Sequence, residues 1–341
     1  MKLFIYEHIT SGALVDQTLP DSLAQEGDVM LSAILQDCHA LKQCEIFMLR
    51  DVRLPAISII DLDTRHYCHW VSFSSDFQHL WEQCLDDADA VFIIAPETGN
   101  VLTQLQQQVL NANKIILGCL PTSIALTTNK LACDQHLAKH DVATPQSSIA
   151  SNWSQQKFES ADGYIMKPID GAGCIDTLRF DSGADLEHYL AQQTTDILSH
   201  ALIQKYITGI PASLSLLMSA YDCIVLATNR QKIVRKKNKL IFNGCIVNGI
   251  EQHVFSLSQA TELAIQIQRA IPGLWGFVGV DIVLANKQVY VVDINPRLTT
   301  SYIGLQQSLA LNPMSLLFTM QEEGMAALPN IGQRQQVEIT L

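Results

Sequence analysis

The chain has 341 residues, 48% hydrophobic and 16% charged, a composition suited to two or three packed α/β units rather than a single small core or a disordered polymer. Its 22 basic and 34 acidic residues leave a formal charge of −12, which argues against nucleic acid as a partner. The nine cysteines are scattered, odd in number and without a Cys-x-x-Cys pair, and no apolar run approaches the roughly 18 residues of a membrane span; the expectation is reduced, mostly buried thiols in a cytoplasmic protein with no membrane role.

Over residues 1–120, short apolar runs at Leu3–Tyr6, Glu45–Leu49, Ala90–Ala95 and Lys114–Leu117 read as strands from their Ile, Val and Phe content. Between the first two, Leu23, Met30, Ile34 and Leu35 share one face of a helix over Ser22–Gln36. Asp21 or Ser22 is the expected cap, with Gln25 or Glu26 closing a capping box. Such alternation predicts a doubly wound, parallel-sheet domain, with the loops His8–Leu14 and Pro96–Asn100 at the carboxyl edge where these sheets bind ligands. Next come a helix at Lys130–Lys139, a break at Thr144-Pro145, a strand at Tyr164–Lys167 and a helix over Asp185–Gln193. Strands follow at Ala201–Tyr206, Leu214–Met218 and Ile224–Thr228, then a helix at Ser258–Ala270 and a hairpin from Gly276 to Asn295. Arg235, Lys236, Lys237 and Lys239 read as a solvated hairpin tip; the sharper alternative is a lid that attracts a triphosphate.

The hairpin carries the most chemistry. With Asn286–Gln288 as a three-residue turn, Ala285 faces Val289 and Asp281 faces Asp293. The other face then pairs Leu284 with Tyr290, Ile282 with Val292 and Val280 with Ile294, a continuous apolar stripe. Two carboxylates directly opposite on a strand pair repel, and a shared cation removes the conflict. Asn295, two residues beyond Asp293, adds a third oxygen on the same face, and an oxygen-only set suits Mg²⁺. The competing reading is an ordinary exposed pair, with the turn miscounted by one.

Lys167 ends the strand at Tyr164–Lys167 and is followed at once by Pro168-Ile-Asp170-Gly171-Ala-Gly173, a loop whose glycines let backbone amides approach an anion. It is neither a Walker-A loop nor Gly-x-Gly-x-x-Gly, which disfavours a dinucleotide-dependent dehydrogenase. Lys130 opens a helix, another anion-friendly position, although a surface lysine is the default there. The strand leading to Gln204-Lys-Tyr206-Ile207-Thr-Gly209 offers an apolar slot and backbone groups for an adenine, or is a plain core strand. Cys174 has no histidine assigned to activate it and reads as a packing residue, while His136 and His140 read as a solvated helix face.

Taken together, Lys130, the Lys167-Pro…Asp-Gly-Ala-Gly loop, Gln204-Lys-Tyr-Ile-x-Gly and Val-Asp281…Val-Asp293-Ile-Asn295-Pro-Arg297 resemble the ATP-grasp ligases in order and spacing over roughly residues 120–310. The resemblance implies an α/β and α+β architecture: an N-terminal doubly wound domain (1–120), a small grasp subdomain (121–203) and a C-terminal grasp subdomain (204–341). It implies ATP contacts from Lys130, Lys167, Gly171, Gly173, Gln204, Tyr206 and Ile207. Mg²⁺, as one ion or two and replaceable by Mn²⁺, would lie on Asp281, Asp293 and Asn295, and Arg297 with Lys167 would act on the transferring phosphoryl group. Two positions depart from the pattern. Ile210-Pro211-Ala212 stands where many members hold ribose with an acid, and Asp293 stands where Glu is usual. The opening Phe4-Ile-Tyr-Glu7-His, the helix Leu23-Ala-Gln-Glu26-Gly27-Asp-Val-Met30, Ala95-Pro96-Glu97-Thr and Pro296-Arg-Leu-Thr299-Thr300-Ser301-Tyr302 look like the tyramine–glutamate ligase branch, associated with methanofuran-type cofactors. That implies an ATP-dependent joining of a small carboxylate to a small amine through an acyl phosphate, by a monomer or a homodimer. Glu7, Glu97, Thr300 and Ser301 are the candidate substrate contacts. Another amino-acid or peptide ligase, or a regulator that binds nucleotide without turnover, are the rivals.

Overall fold

A computed structural model of the chain describes residues 1–57, 66–171, 174–285 and 288–340. Its first sheet comprises β1 (Lys2–Glu7), β2 (Glu45–Asp51), β3 (His66–Val71), β4 (Ala90–Ile94) and β5 (Ile115–Ile116). All neighbours are parallel and the order is β3-β2-β1-β4-β5, so the winding reverses between β1 and β4. The expected doubly wound sheet is present, and its switch point opens between Glu7 and the loop after β4. Successive residues of β1 serve opposite faces. Phe4 and Tyr6 cluster with Trp81 of α2 (Ser74–Asp87) and Leu102 of α3 (Val101–Asn111). Leu3 and Ile5 cluster instead with Met30, Leu31 and Ile34 of α1 (Asp21–Leu41).

The capping box expected at the start of α1 is absent. The helix begins one residue earlier, with Pro20 in extended conformation at the cap position and no side-chain cap. Asp21 therefore lies in the first turn, where its charge suits the helix dipole without capping it.

α4 (Pro121–Thr128) and α5 (Lys130–Ala138) lead into a second, largely antiparallel sheet. Its strands are β6 (Ser147–Ile149), β7 (Tyr164–Pro168), β8 (Leu178–Phe180), β9 (Ala201–Lys205), β10 (Ile210–Met218), β11 (Cys223–Lys236), β12 (Lys239–Val247), β13 (Gly276–Ala285), β14 (Gln288–Asn295) and β15 (Val337–Ile339). The order is β14-β13-β10-β11-β12-β8-β7-β9-β6, with β15 on β12. The strand expected at Ile224–Thr228 is the inner half of β11, whose outer half runs to an exposed tip at Lys236–Lys239.

The β13–β14 register differs from expectation at its distal end. Ala285 pairs with Gln288, Leu284 with Val289, Val283 with Tyr290 and Ile282 with Val291, one residue short of the expected pairing; Asn286 and Lys287 of the expected turn lie outside the described residues. A bulge between Asp281 and Ile282 then absorbs Val292 and restores Asp281 opposite Asp293 and Val280 opposite Ile294. Among the described residues no helix is long and apolar enough to cross a membrane. Of the nine cysteines, seven are buried, and Cys68 and Cys174 are half-buried.

Candidate active site

The facing carboxylates are held by a network that brings the predicted residues together. The Lys130 Nζ donates to both oxygens of Asp293 at 2.7 Å. Asn129 caps α5 by accepting from the Ala132 amide, and this sets Lys130 at the first helical position. The lysine is 8% exposed, so the surface default fails. Lys167, at the end of β7, donates to the Val292 carbonyl at 2.9 Å. Val292 is the residue that the bulge leaves out of the Cα pairing, so the lysine bonds the hairpin at its irregular point. Asp281 accepts from Gln231 Nε2 at 2.7 Å and from Asn295 Nδ2 at 3.3 Å.

The electrostatics follow from burial. Burial and the Asp293 charge push the Asp281 carboxyl up to about 6. Burial lowers the Lys167 ammonium. Burial also opposes the charge on Lys130, but Asp293 more than offsets it, and its pKa is raised. Cys174 lies beside this cluster, and burial pushes its thiol up to about 12, which suits packing and not a nucleophile.

These groups line a cavity of about 430 Å³. At one end Tyr206 and Ile207 follow β9, and Arg179 lies 3.8 Å above the Tyr206 ring. Gln204 also lines the cavity, but its amide nitrogen donates to Asp134 at 3.0 Å and to Ser147 at 3.2 Å. Gly171 is part of the wall; Gly173 lies outside the described residues. The loop before them is docked on the N-terminal sheet's edge, with Thr98 Oγ1 donating to the Asp170 carbonyl and the Gly99 amide to the Asp170 carboxylate. Arg235 is at the rim, paired with Asp181 at 2.8 Å, while Lys236, Lys237 and Lys239 are exposed at the tip. His136 is not on a solvated face, because its Nε2 meets the Ala270 carbonyl at 2.7 Å.

The opposite wall departs from expectation. Glu7 is buried at the end of β1 and is not among the lining residues. Its carboxylate accepts from the amides of Ile9 and Thr10 and from the Thr10 hydroxyl, and burial pushes it up to about 7. Glu97 is also buried and does not line the cavity; it clasps Arg297, with Nε–Oε1 at 3.0 Å and Nη2–Oε2 at 3.2 Å. Arg297, Thr300 and Ser301 do line it. Thr300 donates to Glu26 of α1, and Ser301 joins Ser215 at 2.8 Å and Thr299 at 3.0 Å.

Known proteins resemble this chain in sequence and fold. The ATP-grasp domain family matches residues 127–301, just over half of the chain, and a pre ATP-grasp 3 domain matches residues 44–124. The chain belongs to the ATP-grasp family. Tyramine–L-glutamate ligases from Methanocaldococcus jannaschii and Methanocaldococcus fervens are 28% and 29% identical to it over 242 residues. The matched segment is 70% and 69% of this chain, and 65% and 67% of those proteins, so it spans just under two thirds of the first. An ATP-grasp superfamily protein from Archaeoglobus fulgidus superposes with a TM-score of 0.72 at 24% identity, covering 98% of this chain and 91% of that one. An L-amino acid ligase from Bacillus licheniformis superposes at 0.67 with 14% identity, covering 94% and 73%; both show the fold.

Within this ATP-grasp chain, sequence reasoning missed Gln231, Asp134 and Glu26 as parts of the site. Gln231 lies on the outer half of β11, beyond the strand that its apolar run announces. Asp134 is one of several polar residues on a short helix. Glu26 stood in a recognised motif, but as a candidate cap and not as a cavity group.

Proposed function

We propose that the protein is an ATP-dependent carboxylate–amine ligase that forms an amide through an acyl phosphate, with glutamate as the acid and tyramine, tyrosine or a similar small amine as the partner. The observation that carries the reading is the facing Asp281–Asp293 pair clasped by Lys130, with Lys167 beside it and Arg297 lining the same cavity. The relatives named tyramine–L-glutamate ligase support the choice of substrates.

The residues fit a divalent cation. Two carboxylates and the Asn295 carboxamide form an oxygen donor set, and the half-buried facing pair carries a repulsion that a cation relieves. Asp281, Asp293 and Asn295 would hold Mg²⁺, which supplies charge neutralisation for nucleotide phosphates. Lys130 and Lys167 are then free to meet phosphate oxygens. The Tyr206–Ile207 backbone and the apolar wall around Ile165 and Val283 suit a flat base. Arg297, its fork fixed by Glu97, would stabilise charge on the phosphoryl group. In the reaction, a carboxylate oxygen attacks the γ-phosphorus and ADP departs. The free amine nitrogen then attacks the acyl carbon, phosphate leaves with the electrons of the broken C–O bond, and the proton lost by the nitrogen goes to the departing phosphate. Such transfer depends on positioning and charge more than on a covalent nucleophile, which agrees with the inert Cys174.

The test is ADP release from Mg-ATP with L-glutamate and tyramine, with the product mass measured. Amide formation requiring both substrates is expected. No ADP above background with tyramine, tyrosine or other small amines would end the reading.

A further inference from the structure

Among the described residues lining the cavity, three are carboxylates: Asp281, Asp293 and Glu26. The first two face each other on the hairpin, and Lys130 already serves Asp293. Glu26 comes from the first turns of α1, next to Gly27, which lies against Glu7 at the end of β1. We propose that Glu26 is the receptor for the ammonium group of the incoming amine and determines that this substrate binds as a primary alkylammonium cation; this rests on the ligase reading above.

The charges of the site leave this role to Glu26. Three of the cations that line the cavity, Lys130, Lys167 and Arg297, are already engaged. Lys130 sits on Asp293 and Lys167 on the bulge carbonyl, while Arg297 spends Nε and Nη2 on Glu97 and Nη1 on the Leu298 carbonyl at 3.1 Å. No described cation forms an ion pair with Glu26, whose recorded contact is the hydroxyl hydrogen bond donated by Thr300. That bond orients the carboxylate and leaves it acceptor capacity, since an ionised carboxylate has about four lone-pair sites. Glu26 is also near enough to Arg297 for their charges to interact. An amine docked on Glu26 as its ammonium would lie beside the guanidinium assigned to the phosphoryl group, and its nitrogen attacks the acyl carbon only after passing one proton to the Glu26 carboxylate. Glu7 and Glu97, the acids expected for this task, are unsuited to it: the first is turned into its own loop and the second is consumed by Arg297.

A purely structural role, tying α1 to Thr300, is the competing explanation, and Glu26→Gln separates the two. The amide oxygen still accepts from Thr300, but the charge is gone. Two reactions are followed with Mg-ATP and L-glutamate: amide formation with tyramine, and hydroxamate formation with hydroxylamine, which is uncharged at neutral pH and traps the acyl phosphate without needing an ammonium receptor. The expected result for E26Q is a tyramine KM raised about 10- to 100-fold, the range for losing a hydrogen bond to a charged group. Its hydroxamate rate and its KM for ATP should stay unchanged. Glu26→Asp should recover part of the tyramine KM, and Thr300→Val should raise it by a smaller factor. An unchanged tyramine KM in E26Q, or an equal loss of hydroxamate and amide, overturns the assignment. If wild-type protein makes no hydroxamate, the ligase reading itself fails, and that outcome is distinct from the first two.

Discussion

Glu7 offers a test of the packing at the switch point. Its carboxyl is 4% exposed and lies beneath α1, and burial pushes it up from an ordinary value of 4.5 to about 7, against the lowering effect of bonds from Thr10 and Ile9. The folded state therefore holds a proton that the unfolded chain releases. Where the native state binds more protons, stability falls as pH rises. The cost is a few tenths of a kcal/mol near pH 4.5 and grows to about 3 kcal/mol near pH 8, above both values. Glu7→Gln removes this dependence while keeping the shape of the side chain. One of the three hydrogen bonds loses its acceptor, at about 1 kcal/mol. E7Q should therefore melt slightly below wild type near pH 4.5 and above it near pH 8, with the curves crossing between. Thermal melts across that range give the answer. Two parallel curves would show that burial of this carboxyl does not govern its protonation.

Three further outcomes follow from particular contacts. Lys130→Met strips the cation from the facing carboxylates; without divalent metal the variant should lose about 3 kcal/mol, and Mg²⁺ should raise its Tm more than it raises that of wild type, because Lys130 no longer competes for Asp293. Equal Mg²⁺ shifts in the two proteins would contradict this. Arg297→Lys replaces a fork held at two points by Glu97 with a single ammonium, and ADP release should fall roughly 10- to 100-fold while far-UV circular dichroism is preserved. Gly27→Ala places a Cβ 2.7 Å from the Glu7 carboxyl carbon, and chemical denaturation should show a loss of about 1–3 kcal/mol.

What the sequence disclosed follows a physical pattern. The inner strands β1, β2 and β4 are buried and read as continuous apolar runs. Edge strand β3, His-Tyr-Cys-His-Trp-Val, carries no such run and went unread, as did α2 and α3 with their polar outer faces. The hairpin was read with its turn one residue too long, yet the Asp281–Asp293 pairing still held. A bulge at Val292 compensated, and no hydrophobic pattern announces a bulge when Val291 and Val292 are both apolar. The same bulge turns the Val292 carbonyl to Lys167, so the irregularity that a regular register omits is part of what joins the two grasp elements.

The acidic wall shows why a correct motif can yield the wrong residue. Glu7, Glu26 and Glu97 all belong to segments near the carboxyl edge of the parallel sheet, and one-dimensional position ranks the strand-end acids first. Which acid reaches the cavity depends on how the first turns of α1 meet that edge. Gly27, without a side chain, lets the helix settle directly onto the Glu7 carboxyl. This contact covers Glu7 and at the same time carries the adjacent Glu26 over the rim to Thr300. A glycine in a helix is ordinarily a weakness, and its presence at position 27 of α1 is the sequence feature that close packing on Glu7 explains.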